Sequence, residues 1–426
     1  DQVILRCHDL ARNNPIASGV SIGIADNVVG SAFRVQARTN DPEWNRQAER
    51  WFNSWARSAE VTGKFDLTEI LRLCCTTRLF DGEIFLVPQD DGTLALVESE
   101  RVRSPNSTDL AYRTDENGKL TSFFVVDRDP KTGAFSPLLQ NRGYWVSDAI
   151  HVAWRWRADQ VRGWPQLATV ANICTDVGEI NMANLKKYKM GALAAWTLTG
   201  GGQLRGRNPS VSGVPLAKFR EGLIYELEAG QSLQPFVNNQ PGGEYAPFVE
   251  LNLRLIGMAL RLPYEFLLMY FGGGTFASSK ASLLQTHKTI QSWQQWLWKS
   301  AIHPIIAWRI AKAIADGELP PAPTNELGES EWDRWEWQKP SLDWIDPQNA
   351  IQTEMQEVRM GTKSLSAVAS SRGNDLEEVL RQRAQEIRLC NEIANEYGIS
   401  PSQLCEIQIP GQSSLYETKE DEEKDE

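Results

Sequence analysis

The side chains able to do chemistry in this chain are scattered. The four histidines, His8, His151, His287 and His303, show neither HxxxH nor HExxH spacing, and none neighbours a serine or cysteine in an elbow motif. That pattern indicates no metal centre, and each histidine reads as a satisfied structural residue. The segment GGGTFASSK comes nearest to a phosphate cradle. A Walker loop needs a glycine directly before its Lys-Ser/Thr pair, because the backbone wraps the phosphate there. Here Ser279 precedes Lys280 and Ala281 follows it, so the glycines read as a mobile connection. Carboxylates cluster at Asp81/Glu83 and Asp90/Asp91, all assigned to turns. A pair of acids distant in the chain can hydrolyse a glycosidic bond. With sixteen tryptophans, this supports a rival reading as a carbohydrate-active enzyme or lectin-like binding protein. Against it, most of Trp293, Trp296, Trp298 and Trp308 fall at helical spacing, which favours packing between helices. Lys186, Lys187 and Lys189 sit at the distal end of a long helical pattern. They suit contact with DNA or a partner, and equally a solvated helix end whose charge complements the C-terminal dipole.

The elements that would carry these residues follow from periodicity. Residues 3–29 read as one helix stopped by Gly30, SAFRVQAR as a strand, and EWNRQAERWFNSWARSA as an amphipathic helix burying Trp44, Trp51, Phe52 and Trp55. FDLTEILRLCCTTRLFDG is a further helix, with Thr68 near its start and Gly82 after its end. From 83 to 151, short β-branched and aromatic runs separated by DDG, DENG and KTG predict a β-meander packed on those helices. The first 160 or so residues therefore form an α+β unit. A long helix runs from Pro165 to about 190, reaching roughly 35–40 Å. A loop-rich β excursion with strand-like LIYEL and SLQPFV follows to 247, at the far end of a stalk.

FVELNLRLIGMALRL, from Phe248, is the returning helix, stopped by Pro263. Arg254 and Arg261, seven apart, share one of its faces. A helix this apolar needs cover on nearly all sides, from its own chain or from identical neighbours. After the glycine loop a Trp-rich helix starts near Ser278 or Ser279, bends at Pro304 and ends at Gly317. A proline-rich connection leads to two or three helices over 347–397, broken at Gly361 and Gly373.

The formal charge is −11, of which the last ten residues, with seven acids and two lysines, supply −5. An acidic body argues against a broad phosphate-gripping surface, and the tail reads as disordered. None of the six cysteines forms a CxxC pair, which predicts reduced, buried thiols and an intracellular setting. No apolar run is long enough to span a bilayer, and the start at Asp1 shows no signal-peptide pattern.

Taken in order, several of these segments resemble the lambda-type portal proteins of tailed bacteriophages. They are the N-terminal run with Arg12-Asn13-Asn14-Pro15 and Asn27-Val28-Val29-Gly30; FDGEIFLV around Gly82-Glu83; and AIHVAWRWRADQVRGWPQLATV, with His151, Gln160, Arg162-Gly163 and Pro165. LRLIGMALRLPYEFLL with Pro263-Tyr264-Glu265, ASSKA, IDPQNA and RGNDLEEVLRQRAQE continue the likeness. Lys280 stands where the family commonly has Arg, Thr275-Phe276 replaces Asn-Tyr, and the triple glycine is unlike the usual loop.

The resemblance implies an α+β phage portal fold. Its parts would be an α/β wing (1–163), a long-helix stem (164–190, returning at 248–262) and a small β-containing clip (191–247). A tunnel loop (263–279), a wing-packing helix and connection (280–345), a helical crown (346–410) and an acidic tail (411–426) complete it. It implies a homo-oligomeric ring, usually of twelve, at a capsid vertex, assembled in the host cytoplasm. Double-stranded DNA passes through the ring, and terminase and then head-completion proteins dock on it. No enzyme activity, cofactor, metal or membrane is implied. The channel residues would be Tyr270, Phe271, Gly272, Gly273, Gly274, Thr275, Phe276, Ser278 and Lys280. Lys186, Lys187, Lys189, Arg254 and Arg261 would lie on the stem.

Overall fold

The computed structural model describes residues 2–105, 109–126, 143–192, 196–200, 231–235, 245–270, 275–340, 347–371 and 376–397. Two compact units emerge, one formed by residues 1–32 with 51–321 and the other by 33–50 with 322–426.

The first unit opens with two helices where one was expected, α1 (Gln2–Asn13) and α2 (Pro15–Val29). The break is local chemistry. Pro15 cannot donate to the helix before it, and the Asn14 side chain accepts from the amides of Ile16 and Ala17 to cap α2. The same side chain donates to the Cys174 carbonyl at 2.8 Å, tying this corner to the long helix. Gly30 ends α2 at φ 78°, as expected. In α4 (Leu67–Phe80) the cap is Asp66, not Thr68: its carboxylate takes the Glu69 amide while Glu69 reaches back to the Asp66 amide. Asp66→Ala should cost about 1 kcal/mol of stability, readable as a shifted denaturant midpoint with unchanged slope.

Among the described residues the β region is two three-stranded antiparallel sheets rather than one meander. The strands are β2 (Glu83–Pro88), β3 (Leu94–Glu98), β4 (Tyr112–Thr114), β5 (Leu120–Val126), β6 (Gly143–Val146) and β7 (Ile150–Ala153). They order as β3-β2-β7 and β4-β5-β6. The second sheet is inserted in the chain between β3 and β7, the two outer strands of the first, and stacked Phe85 and Phe123, 4.2 Å apart, join their cores. Pro165 begins a 3-10 turn, Gln166–Thr169, ahead of α5 (Ala171–Ala192), so it caps a turn and does not start the long helix. Of the β excursion, β8 (Trp196–Gly200) pairs antiparallel with β9 (Gln231–Pro235), which overlaps the expected SLQPFV strand. LIYEL lies outside the described residues.

After α6 (Tyr245–Leu260) and the short α7 (Tyr264–Leu268), the Trp-rich helix starts at Phe276, two residues earlier than expected. Thr275 caps it by accepting from the Ser278 amide. It runs as α8 (Phe276–Leu297), passes through a π-helical turn at Trp298–Ile302 and resumes as α9 (His303–Ala315). That widened turn accommodates Pro304, which has no amide to donate. Gly317 follows at φ 76°.

In the second unit, β1 (Val35–Ala37) pairs antiparallel with the chain-distant β10 (Trp335–Trp337). Trp44, at the start of α3 (Pro42–Ala56), packs edge-on to Trp335 at 6.4 Å. Along α3, Trp44 and Phe52 are buried as expected, but Trp51 and Trp55 only half so. Three helices follow, α10 (Pro347–Arg359), α11 (Leu365–Ser371) and α12 (Leu376–Tyr397), with Gly361 turning between the first two at φ 74°. Gly373 and the acidic tail lie outside the described residues. Cys7, Cys74, Cys75 and Cys174 are buried free thiols, and burial raises the pKa of each. Cys390, half-buried on α12 outside that core, is disulfide-bonded, which corrects the expectation of a reduced thiol there.

Candidate functional site

Two helices carry the expected stem. α5 has 22 residues, about 33 Å at ~1.5 Å per residue. α6 starts beside its middle, where the Tyr245 hydroxyl donates to the Asn181 side chain, and packs on the 3-10 turn that precedes α5. The two helices are therefore antiparallel. Leu253, Ile256, Gly257 and Leu260 form the buried face of α6. Phe248, Leu251, Leu255 and Met258 are exposed, Met258 to 72%, and their 3- and 4-residue spacing makes one stripe. On α5, Met182, Leu185 and Tyr188 are exposed in the same way, interleaved with exposed Lys186, Lys187 and Lys189. Among the described residues, then, only one face of the apolar helix is covered.

Arg254 and Arg261 do not share a helical face. Arg254 pairs with Glu250 at 2.7 Å, whereas Arg261 lies beyond the helix at φ 59°. Its amide bonds to the Met258 carbonyl and the Leu262 amide to the Gly257 carbonyl, so a Schellman turn and not Pro263 ends α6. Pro263 instead caps α7. The expected loop is thereby shortened from both sides. Tyr270 is exposed just after α7, Phe271 and Gly272 to Gly274 lie outside the described residues, and Phe276, Ser278 and Lys280 belong to the first turns of α8.

The segments around Gly82-Glu83 and around His151 to Gly163, far apart in sequence, meet at one buried carboxylate. Glu83, 1% exposed, accepts from the Gly163 amide at 2.6 Å, the Ser99 hydroxyl at 3.1 Å, His151 Nε2 at 2.8 Å and Arg162 Nε. Burial opposes its charge, but the His151 hydrogen bond and the Arg162 charge outweigh that and hold its pKa at about 2. Burial lowers the pKa of His151. As a neutral ring it donates from Nε2 to Glu83 and accepts at Nδ1 from Arg155, 2.8 Å away. Arg162 also donates to the carbonyls of Val102 and Ser99. Around this knot the backbone is too close for side chains: a Cβ on Gly163 would lie 2.2 Å from the Gly82 oxygen. The cluster ties the β sheets to the 3-10 turn from which α5 departs.

Sequence reasoning missed two buried arginines that gather five of the sixteen tryptophans. Arg78 on α4, 4% exposed, lies 3.8 Å from the Trp154 ring centre, 3.7 Å from that of Trp293 and 4.5 Å from that of Trp296. Its Nε donates to Gln166 while Nη1 has no partner, and burial lowers its pKa to about 9. Arg309 on α9 lies 4.4 Å from the Trp51 ring centre and pairs with Glu318 at 3.0 Å. The usable signal was an arginine on the apolar face of each helix.

The acids proposed for catalysis are otherwise engaged. Asp81 does sit in the turn that ends α4, but it is buried and holds His8 at 2.6 Å, while Glu83 opens β2 inside the knot and not at a turn. Asp90 and Asp91 do occupy the β2–β3 turn, exposed, with Asp91 accepting from the Thr93 amide. Among the described residues no three His, Cys, Asp or Glu side chains are grouped to hold a metal, and no helix is long and apolar enough to cross a membrane.

Among known proteins, a "Probable portal protein" of Halomonas phage phiHAP-1 is 22% identical over 449 residues, covering 93% of this chain and 84% of the relative. A solved chain from the "Neck of empty GTA particle computed with C6 symmetry" matches with TM-score 0.52 at 13% identity, over 84% of this chain and 90% of that one. That likeness shows a shared mixed helix-and-sheet fold. The family described as phage portal protein, lambda family, matches residues 2–294. With more than half the chain covered, this protein belongs to the lambda family of phage portal proteins.

Proposed function

We propose that the chain is the subunit of a portal ring at a capsid vertex, through which double-stranded DNA enters during packaging and leaves on ejection. The observation that carries this is the apolar stripe of α6, Phe248, Leu251, Leu255 and Met258, which the described residues leave exposed. Identical neighbours would cover it, and in a closed ring every copy has one. We assign the α+β part to a wing, α5 and α6 to a stem, the β8–β9 excursion to a clip and α10–α12 to a crown. Twelve copies are the expected number.

The segment from Tyr270 to Thr275, with Phe271, Gly272, Gly273 and Gly274, is the proposed channel loop, Ser278 and Lys280 following on α8. A conduit that lets DNA slide should not grip phosphates, and the net charge of −11 fits that. Lysines 186, 187 and 189, repeated around a ring, become bands of positive charge. Terminase during packaging, and head-completion proteins afterwards, are the proposed docking partners, and ATP hydrolysis belongs to terminase. The "Neck" in the name of the solved relative fits a place in the virion.

The test is assembly. Burying a Leu or Met side chain contributes about 1.5–3 kcal/mol. Leu251→Glu combined with Met258→Lys should therefore leave a monomer that still unfolds cooperatively, where the parent chain gives a ring by native mass spectrometry. A parent chain that stays monomeric at high concentration in any salt would overturn the ring.

A further inference from the structure

The only two non-glycine residues with left-handed backbone among those described are Arg261 at φ 59° and Met269 at φ 51°, which flank α7: Arg261 in the turn that ends α6 and Met269 directly after α7. Elsewhere such positions are held by glycine, as at Gly30, Gly63, Gly82 and Gly92. Both are Schellman turns: the Leu262 amide bonds to the Gly257 carbonyl at 2.8 Å and the Tyr270 amide to the Glu265 carbonyl at 3.1 Å. A side chain in this conformation is strained, and the strain persists only where surrounding contacts impose it.

Those contacts are visible. Where a Cβ would stand on Gly23 of α2, the Phe266 ring comes within 3.4 Å and the Met269 methyl within 3.8 Å. Where one would stand on Gly257 of α6, Leu267 comes within 3.3 Å. Two consecutive apolar side chains of α7 thus occupy two side-chain-free notches on different helices. From α8, the Thr289 hydroxyl donates to the Arg261 carbonyl at 2.7 Å and fixes the first turn.

We propose that Gly23 and Gly257 are positioning residues, a pair of notches that seat α7 and hold the two strained turns that flank it in place. The seat fixes the backbone up to Tyr270, the last described residue before the glycines. On the channel-loop reading above, on which this consequence rests, it thereby aims the loop. Gly257 cannot be tested cleanly, because a Cβ there would also lie 2.5 Å from the Leu262 oxygen. Gly23 can, since an alanine would only touch the Phe266 ring while a larger side chain cannot share its space.

The experiment is hydrogen exchange on the assembled full-length ring. Gly23→Leu should speed exchange of the Leu262, Phe266 and Tyr270 amides at least tenfold, with the middle of α8 unchanged. Adding Phe266→Ala should restore protection at Leu262. Phe266→Ala alone, which empties the notch without crowding α2, should also speed exchange at Tyr270. Unchanged exchange across 262–270 in both single variants overturns the seat, as does a loss spreading through α2 and α8 that Phe266→Ala does not reverse. DNA retention, measured on the same variants, separates the two ideas. Faster exchange with full retention leaves the seat standing and removes the channel-loop reading.

Discussion

Replacing Glu83 by glutamine is expected to destabilise the fold by about 3–5 kcal/mol, the usual cost of breaking a buried ion pair from one side. The amide keeps the shape but removes the charge that Arg162, 30% exposed at its side chain, meets at the knot. It also presents an NH2 group where the Gly163 amide, the Ser99 hydroxyl or His151 Nε2 needs an acceptor. The effect should be read as a lower denaturant midpoint. Because the network ties the sheets to the turn before α5, protection there should fall as well.

The same group makes an acid prediction. Its folded pKa of about 2 lies below the ordinary 4.5. A depressed carboxylate pKa contributes stability that is fully present above the unfolded value and is lost as pH falls through the folded one. The contribution, about 3 kcal/mol at ~1.4 kcal/mol per pH unit, should fade between about pH 4.5 and pH 2. Glu83→Gln should flatten that part of the stability profile.

Arg78 should respond in an order opposite to chemical similarity. Arg78→Lys keeps the charge but replaces a flat, weakly hydrated guanidinium with a compact ammonium that cannot lie between the Trp154 and Trp293 rings while reaching Gln166. A buried cation stripped of its partners costs about 3 kcal/mol or more. Arg78→Met fills much of the same space with no charge to desolvate, and Nη1 already lacks a hydrogen-bond partner. Met should stay within about 1.5 kcal/mol of the parent. Equal losses for Lys and Met in urea titrations would show that packing volume alone matters there.

Much of the architecture was legible because it is local. Helical spacing gave α3, α4, α5, α8 and α9 near their observed spans, the DDG signal marked the β2–β3 turn, and Gly30 and Gly317 marked helix ends. Where the reading slipped, a side chain or distant strand had intervened. Asn14 and Asp66 took the caps, β10 reached across almost the whole chain to β1, and β7 skipped a three-strand insertion to pair with β2.

The family resemblance drew attention to Gly82-Glu83 and to His151 through Gly163, yet gave no hint that they touch. A sequence records which residues are present, while the worth of a carboxylate depends on what surrounds it. Glu83 reads as one more acid at a turn until the tertiary fold removes water from it and supplies four donors. Periodicity alone was enough for the apolar helix, and motifs in order were enough for the portal family. It took the folded chain to show that the helix ends at a left-handed arginine, that α7 packs on two glycines, and that one apolar stripe stays exposed among the described residues. Each of those depends on how close segments distant in the chain approach one another, which periodicity cannot report.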